Sequence, residues 1–526
     1  MISSKNMGNL LWIAIVSFIF ILSFRAFAPY LAPNLNSDNA IHILMAYHLK
    51  LPDDLYYWGQ DRLGSIVPIL GHFLLKLLSL SPVEAVSYVQ YFLLLVGFLC
   101  FASLFRNPIS KIAFALIWFL PLRVLTELIH IGQPYGAQLA FIGVGIVLIN
   151  YLIENTEQLM GWRRRILIAI ATTSLFISLW ISDFTIITIL LLALMLLVPI
   201  FSSIFKEPSP AGKARLIAIA PDVLTILVVS LMGFLSIDYA KQNAADQGSY
   251  SGFNGPAQVI EVLSRLGTSL IRTISFQAKT IFLSIHAILT LVFIGYAVYL
   301  LLRSRNTNIQ SATSTTPPLK LSRWFYFFLA HTILGLVLLV LSDWVYKNGI
   351  NFRYFTPVYV TGWLAALLFT EALDGAVARR ASVLLVLAAV SSSFSLPRQV
   401  FFLEKPEPKI QTLQEIQTLG NAGLIGDYWT AYLICSANPA SLNCTPYDKK
   451  GSTPCLPSSQ QEEIGRVRCR RCVPKVMASE TIYLVKDKWL DAFPDQIQQF
   501  GQCLIRVGQG RKLGGYAMAP YQKRSP

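Results

Sequence analysis

The chain has 526 residues, of which 54% are hydrophobic and only 13% charged, and its mean hydropathy is positive. Those proportions exclude an ordinary soluble globular protein and fit an integral membrane protein. The net charge of +15 is in part a topology signal, because short cytoplasmic loops retain Lys and Arg, and it carries no inference of nucleic-acid binding.

Apolar runs of roughly 17 to 25 residues, the length of a bilayer-spanning helix, recur through the first three quarters of the chain. About eleven spans are predicted on that criterion, near residues 10–30, 83–105, 109–126, 134–153, 165–182, 184–205, 216–237, 280–302, 324–342, 354–373 and 381–397. The first run carries Arg25 and leads into "AFAPYLAPN", so it reads as an uncleaved anchor rather than a signal peptide. With the N-terminus in the cytoplasm, the basic segments "GWRRR" (161–165), "KEPSPAGKAR" (206–215), "RSR" (303–305) and "ARR" (378–380) all fall on the cytoplasmic side. An odd span count then divides the chain into a transmembrane domain, 1–397, and an extracytoplasmic tail, 398–526.

The first outer loop, 31–82, holds two helical segments that are poor spans. "SDNAIHILMAYHLK" starts with Ser37 and Asp38 in N-cap position, places Asp38 and His42 on one face, and carries an apolar stripe of Ile41, Leu44, Met45 and Leu49. That pattern predicts a helix lying in the membrane interface. "GSIVPILGHFLLKLLSL" (64–80), interrupted by Pro68, Gly71, His72 and Lys76, is expected to be half-embedded rather than crossing. Between them lies "YYWGQDRLGS" (56–65). Further polar residues fall on the same outer side: His130, Gln133 and Tyr135, Asp183 in "WISDFT", a long loop 238–279, and "SDWVYKNGINFRYFTP" at 342–357. This asymmetry points to an outward-facing site at the bilayer surface.

Six of the seven cysteines, Cys435, Cys444, Cys455, Cys469, Cys472 and Cys503, lie in the tail. An even set in an oxidising compartment reads as disulfides. The spacing of "CRRC" (469–472) also suits half a zinc site or a redox pair, but the tail has neither a second CxxC nor a His. "TIYLV" (481–485), "KWLDAFPDQIQQF" (488–500) and "CLIRVG" (503–508) predict a strand, a helix and a strand, hence a small α/β domain. No P-loop or strand-borne GxGxxG occurs, which argues against a nucleotide-sugar donor.

The N-terminal span, the acidic residue opening a juxtamembrane helix, "YYWGQDRLGS" and "RYFTP" entering a late span together resemble the GT-C glycosyltransferases. More narrowly, they are similar to bacterial relatives of protein O-mannosyltransferases and aminoarabinose transferases. "GDYWTAY" (426–432) and "ETIYLVKDKWLDAFPDQIQQFGQCLIRVGQ" (480–509) are similar to the tails of bacterial members. The resemblance covers nearly the whole chain through short, degenerate motifs.

It implies an enzyme of a bacterial inner membrane that transfers a hexosyl or pentosyl group from a polyprenyl-phosphate-linked donor. The acceptor would be an extracytoplasmic glycan, lipid or protein. Asp38 matches the family's loop aspartate and is expected to act as base toward the acceptor hydroxyl, a role compatible with an N-cap. The following residue is Asn39 where the family often has a second acid, which weakens acidic-pair metal binding there. Arg353, with Tyr354 beside it, is the first candidate for the lipid phosphate and Arg62 the next, because a guanidinium pairs bidentately with phosphate. Trp58, Gln60, Asp61, His42, His130 and Gln133 are candidates for binding the sugars. A divalent cation, Mg, Mn or Zn, stays open, with Asp38, Asp61 and Asp183 as candidate ligands. The competing classes are a polysaccharide polymerase or ligase, a lipid-linked glycan transporter and a membrane receptor.

Overall fold

The computed structural model describes residues 4–159, 161–206, 210–244, 252–277, 280–310, 320–402, 407–451, 455 and 467–524. Among the described residues fifteen α-helices precede the tail: α1 Ser4–Phe27, α2 Ser37–His48, α3 Ile66–Leu77, α4 Pro82–Ala102, α5 Pro108–Phe119, α6 Tyr135–Glu154, α7 Trp162–Ile181, α8 Ile186–Lys206, α9 Pro210–Gln242, α10 Pro256–Ile274, α11 Ile281–Gln310, α12 Arg323–Leu341, α13 Asp343–Lys347, α14 Thr356–Glu371 and α15 Gly375–Phe394. Among the described residues, eight (α1, α4, α6, α7, α9, α11, α12 and α15) contain a stretch long and apolar enough to cross a bilayer.

The expected spans at 109–126 and 354–373 are shorter than anticipated. Leu120 leaves the helical conformation at the end of α5, and a tight helical segment, Arg123–Leu128, follows. At the other, the residues before Thr356 form a separate turn, Phe352–Phe355. The segment 64–80 is reduced to α3, whose 12 residues rise only about 18 Å, short of a bilayer's hydrocarbon core. The expected loop 238–279 is largely helical, since α9 runs to Gln242 and α10 occupies Pro256–Ile274.

The bundle is held by an aromatic core. Trp118, Phe98, Phe101, Phe114, Phe119 and Phe328 are fully buried and in one cluster, and Trp118 Nε1 donates to the Leu94 carbonyl at 2.8 Å, which satisfies its polar atom.

Among its described residues the tail adds α16 Lys409–Thr412, α17 Tyr428–Cys435, α18 Cys472–Ala478 and seven strands: β1 Ala422–Gly426, β2 Leu442–Pro446, β3 Ile482–Val485, β4 Gln496–Gln499, β5 Gln502–Arg506, β6 Arg511–Leu513 and β7 Tyr516–Lys523. They form one sheet in the order β2-β1-β3-β7-β5-β4, with β6 on β7. β1 pairs in parallel with β2 and β3, and the remaining pairings are antiparallel.

The helix expected at 488–500 does not form. Residues 496–499 alternate, with Ile497 and Gln499 buried, and Phe500 and Gly501 both take positive φ, which closes a hairpin with β5. The β-α-β unit lies upstream instead, as β1-α17-β2. The tail's cysteines pair as Cys435–Cys444, Cys455–Cys503 and Cys469–Cys472. "CRRC" is thus a disulfide-closed turn.

Candidate active site

The ends of the membrane helices set the place of the site. The start of α6, the end of α7, the start of α8, the end of α9, the end of α12 and the start of α14 all contribute residues to one cavity of about 1190 Å³. That volume exceeds the usual range for a single small ligand. The first loop and the tail close it.

Asp38 stands in the first turn of α2. The N-cap is Asn36, whose side chain accepts from the Asn39 N–H at 2.9 Å, so the N-cap position expected for Ser37 and Asp38 belongs to Asn36. Asp38 is thereby free of a capping duty, and its carboxylate lines the cavity near the positive end of α2. The apolar stripe of α2 packs inside the protein. Ile41, Leu44, Met45 and even Ala40 and Ile43 on other faces are buried, because the tail packs over it.

Gly132 makes the close approach behind Asp38 possible. A Cβ there would sit 2.7 Å from Asn39 Oδ1 and 2.8 Å from Asp38 Cβ, and the Gly132 N–H donates to Asn39 Oδ1 at 3.2 Å. Asn39 thus spends its side-chain oxygen on the backbone of the loop behind Asp38.

The tail reaches this carboxylate directly. Asp427 caps α17 by accepting from the Thr430 N–H at 2.8 Å, and this fixes Tyr428 and Trp429 in the first turn. Tyr428 Oη donates to Asp38 Oδ1 across 390 residues of sequence, and lies 3.4 Å from Tyr57 Oη. Arg468 sits over the Tyr428 ring at 5.7 Å and donates to the Gly59 carbonyl at 3.2 Å. Burial pushes the Asp38 carboxyl above the ordinary carboxylate range, while the Tyr428 hydrogen bond and the Arg353 and Arg468 charges pull it back. Burial and the Asp38 charge likewise hold the Tyr428 hydroxyl well above its ordinary value, so it remains a donor.

The opposite wall is cationic and aromatic. Asn351 Oδ1 accepts from the Arg353 N–H at 3.1 Å and starts the turn that carries Arg353 and Tyr354 into the cavity. Arg353 Nη2 donates to Tyr354 Oη at 3.1 Å, and its Nε is buried without a hydrogen-bond partner among the described residues. Tyr354 packs on Trp344 with ring centroids 4.0 Å apart, and Arg62 lies 5.2 Å from the Trp344 ring. Arg62 Nε also donates to Gln60 Oε1 at 3.3 Å.

Of the candidates read from the sequence, the cavity gathers Asp38, Gln60, Asp61, Arg62, Gln133, Asp183, Arg353 and Tyr354. Three others are placed elsewhere. His42 is buried with Nδ1 3.1 Å from the Asp38 carbonyl oxygen and its ring against Tyr57, and burial pushes its pKa down to about 4. Trp58 is buried behind the wall, where Nε1 donates to Asp54 Oδ1 at 2.9 Å. His130 pairs with Glu127 at 3.5 Å, outside the cavity lining. Sequence reasoning missed Tyr57, Lys241, Trp344, Tyr428, Trp429 and Arg468. The "GDYWTAY" motif, with an Asp before two aromatics, was the available signal for two of them.

Asp38, Asp61 and Asp183 all border the cavity, and Lys241 lies 3.5 Å from Asp183. Among the described residues no three His, Cys, Asp or Glu side chains come together in a cluster that could hold a metal ion.

No family model matches the chain, and no curated protein does. Among solved structures it is similar to the crystal structure of ArnT from Cupriavidus metallidurans in the apo state, with a TM-score of 0.42 and 10% identity over 98% of each chain. It is also similar to the crystal structure of that protein bound to undecaprenyl phosphate, with a TM-score of 0.37 and 10% identity over 97% of each chain. The chemistry assigned to the cavity rests on its own geometry.

Proposed function

We propose that this protein is a membrane glycosyltransferase that moves a sugar from a polyprenyl-phosphate-linked donor to an extracytoplasmic acceptor. The observation that carries the reading is a half-buried carboxylate with a raised pKa, Asp38, in the same cavity as Arg353, a guanidinium with a buried donor to spare. Asp38 Oδ2 takes the proton of the acceptor hydroxyl while Tyr428 holds Oδ1. The acceptor oxygen bonds to the anomeric carbon, and the bond from that carbon to the phosphate oxygen breaks. The electron pair leaves on the lipid phosphate, where Arg353 and Arg62 offset the charge.

The same reading adds α8, α14 and the stretch formed by α5 with the turn Arg123–Leu128 as crossings beside those eight, giving about eleven. It places the N-terminus in the cytoplasm and the cavity and tail outside a bacterial inner membrane. Leu338, Leu339, Ile186 and Pro357 line the membrane-helix side of the cavity near Arg353, a surface suited to the first prenyl units behind the phosphate.

The test is transfer of radiolabelled sugar from a panel of polyprenyl-phosphate hexoses and pentoses by the purified protein in nanodiscs. Donor-dependent product is expected. No turnover of any donor with saccharide, lipid and peptide acceptors would sink the reading.

A further inference from the structure

The two walls of the cavity differ in origin, and among the described residues the tail's share carries no aliphatic side chain. The membrane helices supply the Arg353 wall together with the aliphatic lining, whereas the tail supplies Tyr428, Trp429 and Arg468. We propose that this tail-borne wall is the acceptor subsite and that the acceptor is a saccharide, its ring seated on the indole of Trp429. The proposal rests on the transferase reading and names the acceptor class for it.

Trp429 is 51% exposed, while Tyr432 and Trp489 of the same domain are sealed. A large indole left open beside a base needs an occupant to cover it. Its place is fixed on three sides. Asp427 caps the turn that bears it, the preceding Tyr428 is tied to Asp38, and the Tyr428 and Trp429 rings meet edge to face at 4.9 Å. A preorganised platform one residue from the group that holds the base suits a ring whose hydroxyl must reach that base.

Arg468 completes the composition of a sugar site. It is positioned over Tyr428 and against the Gly59 carbonyl, and the disulfide turn Cys469–Cys472 follows at once. The C–H face of a pyranose packs on an aromatic plane while its hydroxyls take donors at the edge, which is the pairing that Trp429 and Arg468 offer. A peptide that binds by strand addition would need a free sheet edge, and the wall is instead the first turn of α17.

In the transfer step the acceptor O–H bond breaks and its proton goes to Asp38. The new glycosidic C–O bond forms as the donor's C–O bond to phosphate breaks, so no further reactant is required.

The experiment uses the full chain in nanodiscs with a turned-over polyprenyl-phosphate sugar. It compares methyl glycosides of hexoses, N-acetylhexosamines and uronic acids with a Ser/Thr peptide and a lysophospholipid. Saccharide product is expected, with Trp429→Ala and Trp429→Leu raising the acceptor KM about 10-fold and Trp429→Phe keeping most of the affinity. The donor KM should not move in any of them. Wild-type behaviour of Trp429→Leu would mean that only an apolar surface is needed, as in a membrane anchor, and would overturn the proposal. So would transfer to the peptide or lipid but to no saccharide, or a change in donor KM alone. The last three outcomes leave the transferase reading standing, whereas absence of turnover with every acceptor removes both.

Discussion

Asp38 must be ionised to accept a proton, and burial holds its carboxyl above the ordinary range. kcat/KM is therefore expected to fall as the pH drops through a limb that lies above the usual aspartate value. Tyr428 stabilises the carboxylate by donating to it, so Tyr428→Phe should move that limb to higher pH. A shift to lower pH, or none, would show that the hydrogen bond does not act on the titrating group. Arg353→Ala should raise the donor KM about 10- to 100-fold, the worth of a charge-assisted hydrogen bond to phosphate, with the acceptor KM unchanged. Asp38 and Arg353 were legible as members of one outer surface because Asp38 opens a helix of the first outer loop and Arg353 stands in the turn before α14. His42 was misread at the same scale. Helical spacing does set it beneath Asp38, but its ring turns to the Asp38 carbonyl and to Tyr57 instead of the cavity.

Two elements lock the tail onto the first loop. One is α17 on α2, and the other is the "CRRC" turn, from which Arg471 pairs with Asp54, a carboxylate only 2% exposed. Asp54 also accepts from Trp58 Nε1 and from the Lys50 N–H. Arg471→Ala leaves that carboxylate short of its cation and should cost about 2 kcal/mol, the worth of a hydrogen bond to a charged group, read as a fall in thermal stability. An unchanged melting temperature would mean the remaining hydrogen bonds suffice. Gly132→Ala drives a methyl group into Asp38 and Asn39. It should lower activity and cost about 1 to 3 kcal/mol, the range for overpacking a tight site. The long apolar helices were legible from hydropathy alone, because a bilayer demands length and composition and little else. The 488–500 segment was not, since its run of polar residues around Ile497 suits either period until the Phe500–Gly501 turn decides for a hairpin.

At the scale of the whole molecule, the cavity exists only where two domains meet. The outer loops could be gathered on one side from the alternation of spans, which is why Gln60, Asp61, Gln133 and Asp183 were already grouped in the sequence. The tail's share could not be, because Tyr428 meets Asp38 across 390 residues and no local pattern encodes which wall a distant domain will close. Orientation has its own check. Alkaline phosphatase fused after residue 526 should be active in a bacterial host, and a cytoplasmic reporter at the same place should be silent. The reverse would put the cavity on the wrong side for an extracytoplasmic acceptor.

The most direct measurement is the rate of labelled-sugar transfer by wild type and by Asp38→Asn, each purified in nanodiscs and shown to have the same melting temperature. If Asp38 is the base, the variant should lose about 100- to 10,000-fold in rate while still binding the donor. Full activity in Asp38→Asn would contradict the mechanism.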